Sequence, residues 1–386
     1  MSRDLFERPM YRVWSDVIHP DSMALVRPPG RILCVGSVFL DSVHICTVYP
    51  IEEDTKASRG FAMASTVRDA GESLEVKVDK SRILCVGLAC LDFIQVVRDY
   101  PAEDSDQRSL DHKWQRGGNA ANNCTVLSQL GASCEFLGPL SSKPTGSFVV
   151  EDFKAHGVCL DNCVFYDDCE VPASSVLINS QNGSRTIVHS NLNLPELSFE
   201  DFNKLDLSQY SWIHFEGRNI PEVVKMINWV HAWDKGPPLN ISVELEKPRV
   251  DTRILDIVEL ADVVFVGKDF AEFMGWRSTA EAIAAVGELS KPDATIVVPW
   301  GASGAAARCP DGTLVESPAF PPEEVVDTLG AGDTFLATTV FALSLGKSVI
   351  DSITLGCQIA GAKVGAFGYQ GLDKVYQHIQ ARSNQG

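Results

Sequence analysis

The sequence predicts an α/β protein: a doubly wound, mostly parallel sheet with helices on both faces and a small β lid beside it. Three observations predict it. Apolar strand-like runs alternate with helical stretches from residue 131 onward, an Asn-Gly turn separates two alternating runs, and two small-residue turns each open a helical stretch.

The first strand is RILCVG at 82–87, an unbroken apolar run before glycine, as suits a strand covered on both faces. Further strands read as CEFLG (134–138), WIHFEG (212–217), NISVEL (240–245), DVVFVG (262–267) and TIVVPW (295–300). Helical stretches lie between them, such as PEVVKMINWVHAW (221–233) and TAEAIAAVGEL (279–289). SSVLIN and RTIVHS flank Gln181-Asn182-Gly183-Ser184, and Asn-Gly favours a hairpin. A hairpin inside an α/β chain predicts a lid over about 172–192, with 93–116 supplying its other strands.

Residues 31–50 nearly repeat 82–101. Both begin RILCVG, carry an aspartate at the same place (Asp41, Asp92) and end in Tyr-Pro. A sheet has one slot for a first strand. The second copy runs directly into a glycine turn and helix, and closing a longer loop costs entropy. The working domain is therefore expected at 82–380. Residues 1–81 form an N-terminal extension with a partial duplicate of that strand, expected to be poorly ordered.

Composition narrows the function. The chain of 386 residues is 45% hydrophobic, enough for a sizeable core. A net charge of −18 argues against nucleic acid or an anionic membrane as partner. The 11 cysteines contain no CxxC pair, which suggests reduced thiols in a cytoplasmic protein rather than a disulfide framework or zinc site. The first residues lack a signal-peptide core, and no apolar run approaches the roughly 20 residues a membrane helix needs.

Two motifs carry chemistry. In Asp327-Thr328-Leu329-Gly330-Ala331-Gly332-Asp333, small residues precede the apolar helical stretch FLATTVFALSL. Backbone N–H groups converging at such a helix start bind anions, and Asp333 stands at the mouth. Alone, Asp333 reads more readily as a helix cap. The loop is neither a Walker A motif, which needs Lys-Ser/Thr, nor GxGxxG, since Phe335 replaces the third glycine. The second motif is Gly117-Gly118-Asn119-Ala120-Ala121-Asn122-Asn123, opening a helix that closes at Gly131. Asn119 and Asn122 are three apart and share a face, so their amides could bind neighbouring sugar hydroxyls; a plain N-cap is the other reading.

Together, a GGN near the start and a DTxGAGD near the end resemble the paired signatures of the ribokinase family of carbohydrate kinases, over roughly 82–370. WQRGGNAANNCTVLSQLGA, NGSRTIV, WIHFEGRN, SVELEKPR, VVDTLGAGDTF and GCQIAGAK look like its ketohexokinase branch. The resemblance implies an ATP- and Mg2+-dependent kinase that phosphorylates the C1 hydroxyl of fructose. By motif, Asp333 would be the base, and Gly330, Ala331 and Gly332 the anion hole. Asp92, Gly118, Asn119, Asn122 and Asp333 would hold the sugar. Arg185 would lie near the phosphates. Lys247, Trp300, Gly301, Gly304, Gly330, Gly332, Cys357 and Ala360 would face the nucleotide; Gly356, Ala360, Gly361 and Ala362 form a small-residue patch that suits the approach of a ring or, equally, helix packing. No metal ligand is assigned, although K+ near Asp327 is a candidate.

The resemblance also implies a homodimer clasped through the lid, with Asp104 reaching the partner's sugar; an ordinary exposed loop acid is the other reading of Asp104, since Glu103 and Asp106 are equally available. Two positions depart from the family. Ala271 stands at the Glu of an expected Asn-x-x-Glu, and Ala302 replaces an acid at the ribose. Two alternatives stay open: another sugar or nucleoside kinase of the family, and a catalytically silent sugar- or nucleotide-binding protein.

Overall fold

A computed structural model describes residues 82–246 and 252–383. The expected extension 1–81, with the first copy of the strand, and Lys247 lie outside the described residues.

The first half of the chain alternates between the lid and the main sheet. β1 (Arg82–Val86) is followed by β2 (Cys90–Val97), β3 (Asp111–Gly117), α1 (Asn119–Gln129), β4 (Cys134–Leu137), β5 (Pro139–Ser141), α2 (Pro144–Ala155), β6 (Val164–Tyr166), β7 (Ala173–Asn179) and β8 (Arg185–Ser190). The second half is regular α/β: α3 (Phe199–Phe202), β9 (Tyr210–Phe215), α4 (Ile220–His231), β10 (Asn240–Leu245), β11 (Val263–Val266), α5 (Lys268–Phe273), α6 (Thr279–Gly287), β12 (Thr295–Pro299), β13 (Ala305–Arg308), β14 (Leu314–Ser317), α7 (Ala331–Ser344), α8 (Val349–Val364) and α9 (Leu372–Ser383).

The main sheet runs β14-β13-β12-β11-β10-β9-β1-β4, parallel from β12 to β4 and antiparallel at the β13–β14 edge. Its strands are buried almost throughout because helices cover both faces. Ala120, Phe153, Phe335, Ile353 and Leu372 bring α1, α2, α7, α8 and α9 onto one face. Phe202, Ile227, Ala271 and Ile283 bring α3, α4, α5 and α6 onto the other. The chain moves from β1 to β4 on one side and resumes at β9 on the other. The crevice for a ligand in such sheets opens at that switch, at the carboxyl ends of the strands.

The lid is a four-stranded sheet of order β3-β2-β7-β8. Both expected segments enter it, but β2 begins at Cys90, so Asp92 lies on a lid strand, opposite Gln115 of β3 and Ser174 of β7. Ile94, Val176 and Ile178 form its inner face, with Leu329 of the anion loop packed against them. The hairpin turn is longer than a two-residue Asn-Gly turn. Asn179 N–H donates to the Ser184 carbonyl and Gly183 N–H to the Asn179 carbonyl, each at 2.9 Å, while the Asn182 side chain accepts from Ser184 N–H. No described helix is long and apolar enough to cross a membrane.

Candidate active site

The site forms where α1 and α7 point their N-termini at the carboxyl ends of β1, β9 and β10. Gly118 caps α1 with φ 100°, and a Cβ there would run into the Leu88 carbonyl, so the chain turns sharply from lid strand to helix only with glycine. That turn aims Asn119 and Asn122 into the crevice. Asn122 Nδ2 donates to Asp333 Oδ2 at 2.7 Å, joining the two sequence motifs across 211 positions. Asn122 Oδ1 is buried and has no partner among the described residues.

Gly330 caps α7 in the left-handed region, φ 75°, where a side chain would also strike the Tyr369 hydroxyl. Asp333 sits in the first turn and is only 8% exposed. The anion hole is narrower than the three small residues suggested. Ala331 N–H bonds back to the Thr328 carbonyl at 3.3 Å, whereas the Gly332 amide lies in the exposed first turn, where helix N–H groups lack intrahelical acceptors. Arg185 crosses from the lid to donate to Thr328 Oγ1 at 3.2 Å, which places its guanidinium beside the loop.

Asn119, expected at the sugar, spends its amide group on two acids at the end of β10. Its Nδ2 donates to Glu244 Oε1 at 2.9 Å and to Glu246 Oε2. Glu216, one strand over, accepts from Leu88 N–H at 2.9 Å and from Arg218 Nη1 at 3.1 Å, and Arg218 also grips Glu196. Burial pushes the Glu244 carboxyl well above its usual value, and the charges of Glu246, Glu216 and Asp333 push the same way. His214 does not relieve them: burial holds its imidazole down at about 3, so it stays neutral.

Asp92 is buried among Ser174 and the Cys90 thiol, whose Sγ lies 3.4 Å from Oδ1. Burial raises its carboxyl, and the hydrogen bonds from Ser174 and Cys90 pull it back only in part. Gly117, which pairs with Cys90, leaves no room for a Cβ beside that carboxylate.

A lysine stands where a monovalent cation was a candidate. Lys363 is 1% exposed; its Nζ lies 3.0 Å from Asp327 Oδ2 and 2.8 Å from the Asp327 carbonyl. Gly368 N–H and Leu329 N–H supply two more donors to the carboxylate, at 3.0 and 2.9 Å. Burial alone would raise the Asp327 carboxyl, but Lys363 and these amides hold it below the ordinary range. For the ammonium, burial outweighs Asp327 and the net shift is downward. Asp327 Oδ1 and the carbonyl thus each accept from one donor and Oδ2 from two.

The expected nucleotide residues divide. Trp300 lies under Lys268 Nζ, 5.7 Å from the ring centre, and the 301–303 turn is closed by Trp300 N–H to the Gly304 carbonyl at 2.7 Å. Cys357 is buried beside Ser317, and Ala360 is half-buried. The small-residue patch is largely packing: a Cβ on Gly356 would meet Phe335 and Thr339 of α7, and one on Gly361 the Phe320 carbonyl. Asp104 is exposed on the β2–β3 loop with φ 57° and bonds to nothing among the described residues, so this chain does not bring it to its own site.

The sequence reading missed Glu216, Glu244, Glu246, Lys363 and Tyr369. A signal existed for the acids. Trp212 and His214 alternate along β9 toward Glu216 just past its end, as Ser242 and Glu244 do along β10 toward Glu246, and the Ser242 hydroxyl joins the two rows at 2.8 Å from Trp212 Nε1 and 2.9 Å from His214 Nδ1. Polar residues at period two in otherwise buried strands mark one face leading to a site.

A sequence model of the pfkB family carbohydrate kinases matches residues 80–374. The chain is 45% identical to mouse (Mus musculus) ketohexokinase over 299 residues, covering 76% of this chain and 100% of that protein. In structure it is similar to ribokinase from Giardia lamblia, with a TM-score of 0.68 at 15% identity, over 78% of this chain and 99% of that one. It is likewise similar to Arabidopsis thaliana ribokinase complexed with ribose and ATP, with a TM-score of 0.63 at 19% identity, over 77% and 99%. The two solved structures share the ribokinase-like fold, and the mouse protein carries the resemblance to the level of sequence. The chain therefore belongs to the pfkB family of carbohydrate kinases.

Proposed function

We propose that this chain is a ketohexokinase, transferring the γ-phosphoryl group of ATP to the C1 hydroxyl of fructose to give fructose 1-phosphate. The observation that carries the reading is the 2.7 Å bond from Asn122 to Asp333. It fixes a buried carboxylate at the start of a helix whose first amides face an incoming anion. Asp333 takes the proton from the attacking hydroxyl. The Gly332 amide and Arg185 receive the charge of the moving phosphoryl group, a transfer that depends on positioning and electrostatics rather than covalent chemistry. Asp92, Asn119, Asn122 and Gly118 orient the sugar. Trp300, Gly301, Gly304, Cys357 and Ala360 border the nucleotide.

Magnesium suits the donors present. It binds through one or two carboxylates plus substrate phosphates, and Glu246, half-buried at the end of β10 beside Glu244, offers a hard oxygen ligand. When bound, it neutralises phosphate charge. Potassium, if bound near Asp327, shares that residue with the Lys363 ammonium. The cysteines among the described residues are free, which suits a reducing cytoplasm. The catalytic unit is placed at 82–380.

The test of the reading is an ADP-release assay with a sugar panel. Turnover is expected with fructose and ATP, and weaker turnover with ribose, glucose or adenosine. A preference for ribose or adenosine favours another kinase of the family, and silence with every acceptor favours a binding protein.

The lid completes the proposal. β8 is an edge strand with every residue exposed, and Val188 (67%) and Leu192 (80%) present apolar surface there. A second copy clasping that edge would bury it in a two-fold dimer. Asp104 would then reach the partner's sugar. Asp104→Ala is expected to raise KM for fructose with little change for ATP. Mixing Asp104→Ala with Asn119→Ala subunits is expected to restore some normal sites, since one hybrid site carries both lesions and the other neither. A light-scattering mass of one chain at assay concentration would contradict the shared site.

A further inference from the structure

Tyr369 is not explained by the reading above. It is 7% exposed, yet its hydroxyl has no hydrogen-bond partner among the described residues. Burying an unpaired hydroxyl costs stability, so such groups are rare unless a ligand completes them. Its position is well defined. Val326 N–H and Asp327 N–H both donate to the Val364 carbonyl, at 2.9 and 3.1 Å, and Gly368 N–H donates to Asp327, which ties residues 364–368 to the anion loop. The ring lies 5.7 Å from Lys363 Nζ, measured to its centre. The hydroxyl ends against Gly330, where even one added methyl would collide with it. The Phe367 ring of the same turn faces Lys113 of lid strand β3, 5.2 Å away, so the segment touches the lid as well as the anion loop.

We propose that the Tyr369 hydroxyl is a further substrate-contacting group, donating a hydrogen bond to an oxygen of the transferring phosphoryl group. Two features identify the acceptor. The hydroxyl rests on the residue that opens the anion-binding turn, where a phosphoryl group arrives. The carboxylates around it, Asp333, Asp327 and Asp92, leave it unpaired, so its partner comes with the substrate. Burial raises the phenol well above its usual value and Asp333 adds to this, so it stays protonated and acts as a neutral donor. A neutral donor helps an anion there without fixing Asp333 in an ion pair.

The inference rests on the phosphoryl-transfer reading, and the substitution Tyr369→Phe in the full chain separates the two. It removes one oxygen and keeps the ring. With wild type active on fructose and ATP, Tyr369→Phe is expected to lower kcat about 10- to 100-fold, as loss of a hydrogen bond to a charged group does, with both KM values within about threefold. Melting of the ligand-free protein should be unchanged or raised, because an unpaired buried hydroxyl gives way to an apolar group of the same shape. A kcat within about threefold of wild type would overturn the inference while leaving the kinase reading intact. So would a lowered melting temperature or failure to fold, which would make the hydroxyl structural, or an effect confined to KM for fructose, which would move the contact to the sugar. A wild type that turns over no sugar would end both.

Discussion

Asp333→Asn is expected to lower kcat by about 10²–10⁴-fold or more, the usual cost of losing a general base, while ATP still binds. The substitution is nearly isosteric. The asparagine Oδ1 can still accept from Asn122, so the contact between α1 and α7 survives and the loss reports on the proton rather than on the fold. What the amide cannot do is take a proton from the attacking hydroxyl. The measurement is kcat by ADP release beside ATP affinity by calorimetry. Activity within about tenfold of wild type would remove Asp333 from the role of base.

Lys363→Met is expected to cost about 3–5 kcal/mol of folding stability, because it leaves the Asp327 carboxylate buried without its counter-charge. Two amides to that carboxylate remain, but they do not replace a full positive charge. The anion loop should loosen with it, since the Asp327 carbonyl also loses its donor. The pH dependence has a definite sign. In the wild type, Asp327 is held below its unfolded value of about 4, so its contribution is complete above that pH and is lost as pH falls through the folded value. In the variant the unpaired carboxyl moves up, so the gap between variant and wild type should narrow toward acid pH. Urea unfolding from pH 4 to 8 reads both effects. A loss under about 1 kcal/mol at pH 7 would show that the pair contributes no more than a surface ion pair.

How much of this was legible in the sequence depended on whether a residue's role is local. The turn at Gly118 and the loop at Gly330 could be read because glycine in a strand-to-helix turn announces its own geometry. The main strands could be read because parallel strands buried on both faces are continuous apolar runs. Asp92 was found, but its place on a lid strand was not, because Leu-Asp-Phe continues an apolar run without a visible break. Lys363 was hidden: a lysine in the last turn of a helix normally reads as a solvated C-terminal cation, and only tertiary packing turns it toward Asp327. Tyr369 sits in a glycine-rich turn with no periodicity, where nothing local says that its hydroxyl is buried. The patch at Gly356 and Gly361 stayed ambiguous for the opposite reason, since small residues serve close helix packing and ligand approach alike.

The bonding of the product tests phosphoryl transfer at C1 most directly. Fructose enriched in 13C at C1, incubated with the chain, ATP and magnesium, is expected to give a C1 resonance split by phosphorus, with ADP formed in equal amount. Phosphate on C6, or ADP formed without any sugar phosphate, would contradict it.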